Sequence, residues 1–106
     1  MGGYGTNEYA DTLFNGGTQG SISLINTDGA VIANVSGGAN LPDRQLVTIT
    51  PINGDIFWGY EDTVTVATGT PICEGQTLGI SAGDCADLYI VTGSNTAVDV
   101  RITEAG

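Results

Sequence analysis

The sequence contains no histidine and no lysine. The first absence removes the commonest general base and the commonest metal ligand. The second removes the Schiff-base amine and the lysine of a phosphate-gripping Walker loop. Arg44 and Arg101 are the only basic residues, against twelve Asp and Glu, and the net charge is -10. Such a chain repels nucleic acid, because binding needs Lys and Arg to displace phosphate counterions. Anionic membrane surfaces are disfavoured for the same reason. No apolar run approaches the ~20 residues of a membrane-spanning helix. The opening stretch MGGYGTNEYADTLFNGG has neither a basic start nor an apolar centre, so no secretory signal is expected. Met1-Gly2 with Thr6 matches the short myristoylation pattern, but no basic patch supplies a second membrane signal.

There are only two cysteines, Cys73 and Cys85. Without CxxC spacing and without His, zinc is not expected. The spacing alone leaves free thiols and a disulfide both open, a bridge requiring Cα atoms within ~7 Å. Assembly in a reducing compartment implies free thiols in the newly made protein.

What the sequence does hold is β-forming. Thr, Val and Ile recur, Gly is abundant at 17 residues, and Ala-Leu-Glu-Lys helix-forming runs are missing. Period-2 alternation is clear in Ala97–Ile102, where Val98, Val100 and Ile102 point one way and Asp99 and Arg101 the other. Thr63–Val66 and Thr77–Ser81 repeat the pattern. Asp28-Gly29 and Asn53-Gly54 carry the signal of tight hairpin turns. Eight short strands are predicted, at 20–26, 30–36, 45–50, 55–60, 63–67, 76–81, 86–92 and 96–103. The expected fold is all-β, a small antiparallel β-sandwich or jelly roll.

The first nineteen residues read differently. They show no alternation, yet they contain Tyr4, Tyr9, Leu13 and Phe14. The expected organisation is an N-terminal arm at 1–19 and a sandwich domain at 20–106. The four apolar residues are candidate anchors on a protein partner.

Paired carboxylates at Glu61-Asp62 and at Asp84 with Asp87 are candidates for glycoside hydrolysis, which needs two carboxyl groups ~5–9 Å apart. Both pairs flank turns, where acids are simply well solvated, so no catalytic residue is assigned. Calcium accepts loop oxygens, but the spacing of an EF-hand loop is missing, so no metal or cofactor is expected. Ser and Thr hydroxyls have no His or Lys to activate them. The run Phe57-Trp58-Gly59-Tyr60 holds the only Trp. Alternation places Ile56, Trp58 and Tyr60 on one face and Phe57 on the other. One face belongs to the core, and Trp58 with Tyr60 is the candidate ligand platform.

From Leu46 to Glu104 the order of segments is informative. Trp58-Gly59 is followed by Val64–Ile72 with its Thr-Gly-Thr-Pro-Ile ending. Glu74-Gly75-Gln76-Thr77-Leu78, Leu88-Tyr89-Ile90-Val91 and Val98–Glu104 come next. This order resembles small virion structural proteins of tailed bacteriophages, either capsid decoration (cement) proteins or domains of head and tail fibres. The resemblance implies a non-enzymatic β-sandwich in the virion, assembled in the host cytoplasm. It implies a homotrimer that bridges neighbouring capsid subunits, with the major capsid protein as partner and no cofactor. A carbohydrate- or receptor-binding module of a fibre is the alternative, distinguished by an exposed groove around Trp58.

Overall fold

The computed structural model describes residues 16–106. Eight strands follow in order: β1 (Gly17–Leu24), β2 (Val31–Ile32), β3 (Leu46–Pro51), β4 (Ile56–Gly59), β5 (Thr70–Ile72), β6 (Leu78–Ser81), β7 (Tyr89–Val91) and β8 (Val98–Ala105). The only helical element among the described residues is a 3-10 turn at Asn26–Asp28.

The strands form two four-stranded sheets, ordered β1-β8-β3-β6 and β2-β7-β4-β5. Every pairing is antiparallel. This order has a simple origin. β1 pairs with β8, β2 with β7, β3 with β6 and β4 with β5. The chain is thus one long hairpin with its bend between β4 and β5. Rolling that hairpin up adds the β3–β8 and β4–β7 pairings. The result is the jelly-roll winding of an eight-stranded sandwich.

Burial follows the pleat. Along β8, Val98, Val100 and Ile102 are buried, Arg101 is exposed and Asp99 is half-buried, as the alternation requires. Val47 and Ile49 of β3, Leu24 of β1 and Ile80 of β6 complete the inner face of the first sheet. Ile56, Ile72 and Ile90 meet them from the second sheet. Each such side chain contributes about 1.5–3 kcal/mol by leaving water. A smaller apolar cluster lies on the outer side of the second sheet. There Val64 is buried beside Gly59 and Gly69, and Phe57 pairs with Val91.

Three sequence expectations need correction. The segment 63–67 is not a strand. Thr65 and Thr68 bond each other's backbone N–H through their hydroxyls, closing a turn. Only Val64 is buried, while Val66 is 43% exposed. The fifth strand is β5, and its Pro71 is tolerated because β5 lies at a sheet edge. Asp28-Gly29 and Asn53-Gly54 do not close hairpins, since each carries the chain from one sheet to the other. Gly29 supplies a positive φ of 67°. Gly54 supplies space: a Cβ there would lie 2.7 Å from Val98 Cγ2. Finally, β1 starts at Gly17, so residues 17–19 of the expected arm pair with β8. Tyr4, Tyr9, Leu13 and Phe14 lie outside the described residues.

Candidate functional site

The aromatic run leaves β4 at the bend of the long hairpin. Trp58 is half-buried and packs against the core. Tyr60 lies past the strand end and is 62% exposed. Their rings meet edge to face, with centroids 5.1 Å apart. The structure therefore divides the predicted platform: Trp58 supports from below and Tyr60 is presented to solvent. Trp58 Nε1 is buried with no hydrogen-bond partner among the described residues. An unmet buried donor of this kind costs about 1–3 kcal/mol.

Tyr60 opens onto a shallow depression of about 600 Å³, lined also by Glu61, Asp62, Thr63, Ala86, Asp87 and Tyr89. Residues from the two predicted acid pairs thus share one surface feature, brought together because β4 and β7 are neighbours. Tyr89 was not singled out from the sequence. Its signal was its place between buried Leu88 and Ile90, which turns it to the other side of β7. Two tyrosines and three carboxylates can stack on a ring and accept hydrogen bonds from hydroxyls. Among the described residues, no group of three or more His, Cys, Asp and Glu side chains is placed to hold a metal ion.

Asp84 has another task. Its Oδ2 accepts the Asp43 N–H at 3.0 Å, and Asp43 has a left-handed φ of 57°. That bond, followed by one from the Cys85 thiol, holds the Asp84 carboxyl below its ordinary range. Asp87 Oδ1 accepts Asn40 Nδ2 at 2.8 Å. The two acids therefore fasten the β2–β3 loop to the β6–β7 loop. Cys73 and Cys85 are both free and exposed, on loops at opposite ends of β6.

The strongest electrostatic feature was not legible in the sequence. Arg44 and Glu104 form an ion pair at 2.8 Å, with side chains 0% and 1% exposed. Arg44 also donates to the carbonyls of Ala82, Gly83 and Ala86. Glu104 accepts the backbone N–H groups of Val35 and Leu41. Burial pushes its carboxyl upward, but these two N–H groups and the guanidinium outweigh that and hold it below the ordinary value. Arg101, by contrast, is exposed and paired on its own strand with Asp99.

The class defined by this arrangement is an eight-stranded jelly-roll domain, pinned at one end by a buried ion pair and carrying a shallow acidic depression beside Tyr60. No family model matches the sequence, and no curated protein matches it.

Proposed function

We propose that the chain is a non-enzymatic virion structural protein, a capsid decoration protein that forms a homo-oligomer and bridges capsid subunits. The observation that supports this reading is where the described residues begin, next to the proposed N-terminal arm. Gly16 is exposed, has a φ of +74° and has no described residue within 4 Å of its Cβ position. It leads into β1, an outer strand of its sheet. Tyr4, Tyr9, Leu13 and Phe14 are the proposed anchors on the major capsid protein. Each buried aromatic contributes on the order of 2 kcal/mol. Several arms per oligomer multiply weak contacts, and binding to assembled subunits stabilises the assembled state. A jelly roll occurs in viral capsid proteins and in lectins alike, so the fold is an analogy only.

The test is co-sedimentation with heads assembled without this protein. The full chain should bind in hundreds of copies per particle, on the order expected for a shell component repeated on every capsomer. A variant with Tyr4, Tyr9, Leu13 and Phe14 all changed to Ala should melt like the parent and fail to co-sediment. Equal binding by the variant rejects the arm, and a handful of copies per particle rejects the capsid role.

A second reading, a carbohydrate- or receptor-binding module of a fibre, is favoured by exposed Tyr60 above its depression. The only Trp meets Tyr60 edge to face, so its fluorescence reports on that surface. A saturable change on titration with oligosaccharides, abolished by Tyr60→Ala, would support this reading over the first.

A further inference from the structure

Among the described residues, three of the four sheet edges carry features that discourage another strand from adding. β2 has two residues, β5 has three and includes Pro71, and β6 has four. Glu74 and Asp84 stand on the loops at either end of β6. Short strands, proline and nearby charge are the usual ways of blunting an edge.

β1 is neither short nor interrupted. Its eight residues pair with β8 without a bulge, from Gly17 opposite Ala105 to Leu24 opposite Val98. It contains no charge and no proline. An antiparallel strand points every second pair of backbone N–H and C=O groups away from its neighbour. Outside the β1–β8 ladder, no backbone hydrogen bond joins Gly17–Leu24 to another described residue. Beneath the strand, Val35 packs under Gly20, so the inner face is filled and, among the described residues, the edge is what stays open.

We propose that β1 pairs antiparallel with β1 of a second copy across a two-fold axis, joining two four-stranded sheets into one continuous sheet. A second copy fits this edge for two reasons. The first is charge. Two chains of net charge -10 repel wherever their carboxylates converge. No charged residue occurs between Asp11 and Asp28, and β1 lies within that stretch. The second reason is self-complementarity, which a two-fold interface demands. Opposite residues must share a sheet face, so the axis passes through a residue and not between two. Centred on Ser21, it sets Ser21 against its own copy and Gln19 against the partner's Ser23. Centred on Gly20, it sets Gln19 against the partner's Ser21. All of these outer-face residues are uncharged, and Gln19, Ser21 and Ser23 are exposed in the single chain. The resulting unit is a dimer, in place of the trimer that the resemblance implies, and it stands independently of the virion reading.

The experiment is sedimentation velocity over a concentration series, with two charge variants of the full chain. Wild type should sediment at twice the 10.8 kDa chain mass. Gln19→Glu/Ser21→Glu and Gln19→Lys/Ser21→Lys place like charges opposite in either register, so each should be monomeric. Mixing them should restore a dimer of one Glu and one Lys chain. Both positions are exposed, and Ser21 lies opposite Arg101, so the Glu variant should melt like wild type and the Lys variant only slightly below it, which separates loss of pairing from loss of fold. A wild-type monomer or trimer overturns the proposal. So does a dimer that survives both charge variants but is lost when Tyr9, Leu13 and Phe14 are changed to Ser, because the N-terminal segment would then form the contact.

Discussion

Arg44 Nη1 donates to Glu104 Oε2 at 2.8 Å across a sequence separation of 60 residues, and both side chains are withdrawn from water. The pair joins the entrance of β3 to the end of β8. Through the Ala82, Gly83 and Ala86 carbonyls it also fixes the β6–β7 loop. Through the N–H groups of Val35 and Leu41 it fixes the β2–β3 loop. Removing one partner leaves the other charge buried. Arg44→Met should therefore lower stability by about 3–5 kcal/mol, read from urea unfolding. The double variant Arg44→Met/Glu104→Leu should be more stable than the single one, because neither charge is then stranded. A double variant no better than Arg44→Met would show that the carbonyl bonds of Arg44, not the pairing, hold this end together.

The same carboxyl gives the stability a pH dependence. The folded-state value of Glu104 lies below its ordinary 4.5. A depressed value means that folding favours the ionised form. The contribution is complete above 4.5 and is lost as pH falls through the lower, folded-state value. Wild type should thus lose stability in acid more steeply than Glu104→Gln, and the gap between them should narrow as pH drops. Parallel stability curves from neutral pH into acid would contradict this.

Two glycines should respond unequally to alanine. At Gly69 a Cβ would lie 2.8 Å from Phe57 Cβ and 3.1 Å from the Thr65 carbonyl oxygen. Gly69→Ala should cost about 1–3 kcal/mol through overpacking of the loop against β4. At Gly38 no described residue lies within 4 Å, and Gly38→Ala should stay within about 0.5 kcal/mol of wild type. Paired thermal melts would decide both.

The thiols should be free without any unfolding. Cys73 and Cys85 are each exposed, so native protein should take up two maleimide labels per chain. Labelling that appears only after reduction would mean a disulfide, and with it a rearranged β6 neighbourhood.

The sequence by itself determined the fold class, the positions of most strands and the orientation of the last one. These are local properties. Alternation along Val98–Ile102 and breaks at Asp28-Gly29 and Asn53-Gly54 need only neighbouring residues to be read. The same locality explains the error at Thr63–Val66, where Thr-Val alternation imitates a strand but threonine hydroxyls close a turn. It also explains why two turn signals were rightly placed and wrongly interpreted. A dipeptide can mark a reversal, but which strands then pair depends on contacts distant in the chain. Only the tertiary structure set β1 beside β8, gathered Tyr60, Asp62, Asp87 and Tyr89 around one depression, and carried the inward alternation of β8 one step further to Glu104. In sequence Glu104 is one more acid on an acidic chain. It is buried because Arg44 and two backbone N–H groups are waiting at that position, and no local pattern records where they will be.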